Sequence, residues 1–102
     1  MNILRSYFFE GHTIDQIVEE NELSVADVRK AFCESGLSVS ADETEGAISV
    51  AVKRLGYSSI AEFIRKNQLL SIRDQARILG VSRRALGNTY DVYRSIVTAQ
   101  SS

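Results

Sequence analysis

The sequence predicts an all-α fold, a single compact domain of six or seven short helices. Three observations point there. The 102 residues include no proline, the residue that most often interrupts helices. No segment alternates apolar and polar residues with the two-residue period of a half-buried strand. Polar capping residues instead recur just ahead of apolar stripes with helical spacing.

Residues 3–9 read as a first helix, with Ile3, Leu4, Tyr7 and Phe8 on one face and Gly11 as its stop. Thr13 opens a second helix. Gln16 completes a capping box with it, and Ile14, Ile17 and Val18 face inward. Ser24 caps a third, whose stripe is Val25, Val28 and Phe32; Gly36 closes it. The polar stretch 37–46 is a candidate hinge near residue 40. It separates an acidic helical half, 1–40, from a basic helical half, 41–102. A helix from about Glu43 to Leu55, capped by Asp42, would bury Ile48, Ala51, Val52 and Leu55, and Gly56 would end it. Ser59 and Glu62 form another capping box, ahead of Ile60, Phe63 and Ile64. Leu69 and Leu70 lead into a helix opened by Ser71 and Asp74, with Ile72, Ala76 and Leu79 inward and Gly80 as its stop. Ser82 caps the last helix, expected to reach about Val97 and then fray through Thr98–Ser102. Its inner face is read as Leu86, Tyr90, Tyr93 and Val97. Its outer face is read as Arg84, Gly87, Asn88, Asp91 and Ser95.

Charge and composition narrow the possible functions. Residues 1–50 carry three basic and ten acidic side chains, a balance of −7, while residues 51–102 carry nine basic and three acidic, a balance of +6. Such asymmetry points to different partners for the two halves. A single cysteine, Cys33, rules out an internal disulfide and suits a reducing cytoplasm. No apolar run approaches the roughly 18 residues of a membrane span, and no signal-peptide pattern is present, so neither membrane nor export is expected.

Catalytic constellations are absent from the pattern. His12 is the only histidine and adjoins a helix start, where a capping or surface role is ordinary. One histidine and one cysteine cannot build a structural zinc site, and Cys33 is read as a half-buried core thiol. Glu19, Glu20 and Glu22 lack calcium-loop spacing and read as a solvated face. No cofactor, metal or enzymatic activity is expected.

Ser71–Tyr90 is the stretch around which the chain is organised. Two short helices there meet across a glycine-containing turn, the geometry that lets a second helix enter the DNA major groove. The segment QARILGVSRRAL resembles the helix-turn-helix of bacterial and phage transcriptional regulators, matching at Ala76, Leu79, Gly80, Val81, Ser82, Ala85 and Leu86. The resemblance implies a double-stranded DNA partner, with Ser82, Arg83, Arg84, Gly87, Asn88 and Asp91 facing the bases. Gly87, inside the helix, departs from a good helix former; its bareness allows close approach to DNA, or else marks a motif decayed into a structural unit. A second fragment, SVAVKRLGYSSIAEFIRK, resembles the helix-turn-helix of AraC-type regulators at Gly56, Tyr57, Ser58, Ser59, Phe63, Arg65 and Lys66. Lys53, Arg54, Arg65 and Lys66 would then touch phosphates, as would Ser71, Arg73, Arg77 and Arg94 around the first motif.

An internal repeat adds to this picture. The caps Thr13 and Ser24 are eleven residues apart, as are Ser71 and Ser82, so residues 14–32 look like a degenerate helix-turn-helix. Asn21 and Glu22 replace its Leu-Gly turn, with Asn21 able to take the left-handed conformation. Its acidic surface suits a structural or dimerising role or a protein partner rather than phosphates. The favoured function is a sequence-specific DNA-binding regulator, working as a homodimer on symmetric half-sites. The adjacent aromatics Tyr7, Phe8 and Phe9 exceed what one short helix is expected to bury alone, which also favours a dimer. Two alternatives stand beside it. One is a protein-interaction adaptor or anti-regulator acting through the acidic half; the other is a DNA-architecture factor for recombination or plasmid maintenance.

Overall fold

A computed structural model of the chain describes residues 3–37, 39 and 42–101. Helix caps organise it from one end to the other. Helix α1 (Ile3–Arg5) runs directly into a π-helical turn, Ser6–Glu10. Then follow α2 (Ile14–Asn21), α3 (Val25–Ser35), α4 (Ala47–Arg54), α5 (Ile60–Lys66), α6 (Ile72–Leu79) and α7 (Arg83–Ser101). Among the described residues there are seven α-helices and no strand. No helix of these is long and apolar enough to cross a membrane.

The caps read from the sequence hold their helices. Thr13 and Gln16 make the full reciprocal box at α2. Ser24, Ser59, Ser71 and Ser82 each accept the backbone N–H three residues on, at 3.1–3.2 Å, but the box expected at Ser59 is not reciprocal, since Glu62 Oε1 accepts from Ser58 N at 2.9 Å. The exception is α4. It starts at Ala47, four residues later than expected, with Gly46 in the capping position and no side-chain cap from Asp42. The preceding backbone is engaged elsewhere: Thr44 O accepts from Ile14 N at 2.7 Å, and Tyr7 Oη accepts from Gly46 N at 2.8 Å. These bonds tie 44–46 to the N-terminal half. Of the hinge expected near residue 40, Ser38, Ser40 and Ala41 lie outside the described residues.

Both halves share one core. Tyr7, Phe8, Ile14, Ile17, Val28 and Phe32 from the first half pack in one cluster with Val52, Ile60, Phe63, Leu79, Leu86 and Ile96 from the second. The π-helical turn decides how the N-terminal aromatics enter it. Its wider i→i+5 winding brings adjacent side chains closer in angle, so Tyr7 and Phe8 are both buried. Phe9 is half-buried, stacked on Tyr93 at 5.7 Å with the Arg5 guanidinium 5.1 Å from its ring centre. The aromatic excess expected to drive a dimer is therefore absorbed within the chain. Burial also lifts the Tyr7 hydroxyl above its ordinary pKa, against the lowering effect of the Gly46 hydrogen bond.

Several faces differ from the sequence reading. Val25, Leu55 and Val97, read as inward, are exposed; in the α5–α6 connection Leu70 is exposed too, and Leu69 almost entirely so. On α7 the buried line is Leu86, Thr89, Val92 and Ile96, with Tyr90 and Tyr93 half-buried at its edge. Helix α7 continues through Ser101 instead of fraying after Val97, where the sequence places neither glycine nor proline. Cys33 is exposed rather than half-buried.

The internal repeat is present in the helix boundaries. Helices α2 and α6 each span eight residues and lead through a two-residue link to a serine-capped helix. Each turns on one left-handed residue: Gly80 at φ 72° and Glu22, not Asn21, at φ 54°. The bond pattern after it is shared, with Val81 N donating to Ala76 O and Leu23 N to Val18 O, the reversal that closes helix ends. A different constraint acts at Gly11, which is left-handed and abuts α5: a Cβ there would lie 2.1 Å from Ser58 O.

These positions predict a ranked set of stabilities. Gly11→Ala should cost more than about 3 kcal/mol, from clash added to strain. Gly80→Ala, with open space around it, should cost about 1 kcal/mol from strain alone. Glu22→Gly should change sign and stabilise by about 0.5–1 kcal/mol. Urea denaturation of the three variants checks the order; equal effects at Gly11 and Gly80 would contradict the packing at Ser58.

Candidate nucleic-acid interface

The α6–α7 unit is joined by Gly80, Val81 and Ser82. Gly80 N donates to Arg77 O at 3.2 Å and Val81 N to Ala76 O at 3.0 Å, so the reversal of the chain satisfies two of the carbonyls that the end of α6 would leave open. Ser82 then caps α7 through Ala85 N. Ala76 and Leu79 from α6 and Leu86 from α7 are buried in the core.

A second link between the helices is polar. Gln75 is 1% exposed. Its Nε2 donates to Asn67 O at 2.9 Å and to Leu70 O at 3.0 Å, while its Oε1 accepts from Tyr90 Oη at 2.5 Å. One amide thus satisfies the α5–α6 connection and pins it to α7. The Tyr90 hydroxyl is held above its ordinary pKa by burial, partly offset by that hydrogen bond. Sequence reading missed Gln75, because a glutamine at the inner edge of an amphipathic helix looks like an ordinary polar position. The signal that could have found it is its spacing: Gln75 stands one residue before the close-packing Ala76 and fifteen before a tyrosine.

The residues expected to face bases lie along the outer side of α7. Ser82, Arg83, Arg84, Asn88 and Asp91 are exposed and Gly87 is half-exposed. Arg83 and Arg84 make no ion pair among the described residues. Asp91 is paired with Arg94 at 2.9 Å, and that guanidinium lies 5.6 Å from the Tyr90 ring centre. Both are therefore engaged with each other in the free protein. The C-terminal edge of the face adjoins α3, where Asn88, Asp91 and Ser95 share a shallow cleft with Ser35 and Gly36.

The phosphate candidates divide. Arg54, Arg65, Lys66, Ser71, Arg73 and Arg77 are exposed. Arg65 and Lys66 stand close enough to Glu62 to help lower its carboxyl pKa, after the larger effect of the Ser58 N–H. Lys53 is instead bonded to Glu45 at 2.6 Å. Acids also approach the turn, since Asp42, Glu43 and Glu45 share a cleft with Arg54, Leu79, Gly80 and Val81. The acids of the 37–46 stretch thus stand beside the α6–α7 turn.

Another constellation was not read from the sequence. His12 Nδ1 lies 2.8 Å from Glu20 and 3.5 Å from Glu10, at angles that make no hydrogen bond. Among the described residues these form the one group of three metal-ligating side chains close enough to share an ion. The eight-residue interval from His12 to Glu20, across a helix start, gives no recognisable ligand spacing. Comparison with known proteins adds nothing to the geometry: no family model, curated protein or solved structure matches the chain.

The polar pin predicts its own effect. Gln75→Leu keeps the volume but leaves two carbonyls and a hydroxyl without this partner, and should destabilise by about 2–4 kcal/mol. Tyr90→Phe removes one bond and should cost about 0.5–1.5 kcal/mol. Thermal melts read both. A Gln75→Leu variant as stable as the parent would show that the amide does not hold the unit.

Proposed function

We propose that the protein is a sequence-specific DNA-binding regulator of the helix-turn-helix type, with α7 as its recognition helix and no catalytic step. The observation that carries this reading is the first turn of α7. Arg83 and Arg84 stand there exposed and without ion pairs among the described residues, beside the positive end of a nineteen-residue helix. Two arginines at that end repel the helix dipole, which an anionic partner would relieve. Arginine also matches guanine edges in the major groove by paired hydrogen bonds.

The remaining parts fit the reading. Arg73 and Arg77 on α6 are placed to meet phosphates, which set register and affinity without reading sequence. A symmetric homodimer would supply two half-sites and enough buried surface for specific binding. Exposed Leu55, Leu69 and Ile78 offer a second copy an apolar contact in the basic half. On this reading the protein acts in the cytoplasm at a promoter; a DNA-architecture factor for recombination or plasmid maintenance would use the same face. A second reading, an adaptor or anti-regulator that engages another protein, is favoured by the acids Asp42, Glu43 and Glu45 flanking the α6–α7 turn.

Salt separates the two readings. The full chain should bind duplex DNA at about 50 mM salt and lose affinity steeply as salt rises, through counterion release. Absence of binding to any duplex there would end the DNA reading. Once a site has been selected, Arg84→Ala and Asn88→Ala should each cost about 1–3 kcal/mol of discrimination at particular base pairs. Both should leave stability within about 0.5 kcal/mol. Arg77→Ala should weaken all sequences alike, and Leu86→Ala should unfold the chain by about 2–5 kcal/mol. Gly87→Ala is the sharpest variant. Its Cβ meets nothing within 4 Å, so it should stabilise the helix by about 0.5–1 kcal/mol while weakening DNA binding if the groove wall comes close there.

A further inference from the structure

A cavity of about 260 Å³ lies beneath the first turns of α7. Its apolar lining is gathered from distant parts of the chain: Tyr7 in the N-terminal turn, Leu37 and Val39 after α3, Ile48 in α4, Ile60 in α5 and Ala85 in α7. At one side stand Arg84 and Asn88, one helical turn apart on α7. Among the described residues no carboxylate lines it, although the chain carries thirteen acidic side chains and three of them line the neighbouring cleft. Among the described residues Arg84 is its one charged lining residue. Three properties therefore converge on one small space: apolar walls, an arginine without an ion pair among the described residues, and the positive end of a long helix.

From this convergence we propose that the cavity binds a small apolar carboxylate, with the hydrocarbon part against Leu37, Val39, Ile48 and Ile60 and the carboxylate on Arg84 and Asn88. The volume suits a body of about a dozen non-hydrogen atoms, at the small end of ligand sites. Arginine pairs with a carboxylate through two parallel N–H groups, the Asn88 amide can donate a third hydrogen bond, and the helix end favours the negative charge. A neutral ligand of equal size would gain the apolar contacts but not these. Because Arg84 and Asn88 are also the proposed base-facing residues, ligand and duplex would exclude each other. That second part rests on the DNA-binding reading; occupancy of the cavity does not.

The test uses the full chain and 2-naphthoate as probe, with 2-naphthamide as its neutral counterpart. Binding is followed by calorimetry and by backbone amide shifts. The expected result is a 2-naphthoate Kd on the order of 0.1–1 mM, with the largest shifts at Leu37, Val39, Ile48, Ala85 and Asn88. The amide should bind at least about tenfold more weakly, as should 2-naphthoate to Arg84→Ala, while Arg84→Lys, which keeps the charge but loses the paired geometry, should fall between Arg84→Ala and the parent. Equal binding of acid and amide, no loss in Arg84→Ala, or shifts centred away from the cavity would overturn the proposal. So would the absence of binding at about 5 mM probe, well above the expected Kd. A chain that binds 2-naphthoate as described but no duplex would contradict the DNA reading alone. A chain that binds duplex but not the probe would contradict the cavity proposal alone.

Discussion

The Gln75 side chain sets the frame of the basic half. It reaches from the inner side of α6 to two carbonyls of the preceding connection and to the hydroxyl of Tyr90 on α7. Tyr90 supports the Arg94 guanidinium, which is paired with Asp91. The Ser82 cap sets where α7 starts, and this one buried amide ties down which of its faces turns inward. An apolar residue at position 75 would fill the space without specifying an orientation, because apolar contact is non-directional. A satisfied polar group in a core does specify one, at the cost of being destabilising when its partners are lost.

The two halves are less separate than their charges suggest. The −7 and +6 balances describe the sequence, but Tyr7, Phe8 and Phe32 share a core with Phe63, Leu86 and Ile96. Glu45 is bonded to Lys53, and the acids at 42–45 stand beside the α6–α7 turn. An anionic ligand approaching α7 from that side meets repulsion, whereas an approach over Arg83 and Arg84 does not. On the proposed DNA-binding reading, charge placement narrows the base-reading part of the face to the first two turns of α7.

Much of the fold was legible because it is local. Thr13, Ser24, Ser59, Ser71 and Ser82 cap helices through partners three residues away, so a short window contains the whole interaction. Gly80 as a helix stop is legible for the same reason. Where the sequence misled, the deciding partner lay far along the chain. Asp42 has the chemistry of a cap, but Ile14 and Tyr7 hold the backbone at 44–46, and α4 waits until Ala47. Glu22 occupies a left-handed position that no local rule assigns to glutamate; its place in the repeat, matching Gly80, is the better guide. The three N-terminal aromatics looked like too much for one helix because α-helical geometry was assumed, and the π-helical turn removes that premise. Of the candidate site, the exposed run Arg83–Arg84 was readable from the cap at Ser82. The engagement of Lys53, Asp91 and Arg94 was not, since it depends on which side chains the fold brings together.

The central claim is that α7 presents its first two turns to nucleic acid while the equivalent turns of α3 do not. Backbone amide shift mapping of the full chain, titrated with a random-sequence duplex at low salt, tests it most directly, because non-specific binding uses the same basic face. The predicted result is a continuous patch of perturbed amides at Arg73, Arg77 and Ser82–Asn88, with Val25–Lys30 unchanged. Perturbations confined to α2 and α3, or a spectrum that does not respond to duplex at all, would contradict it.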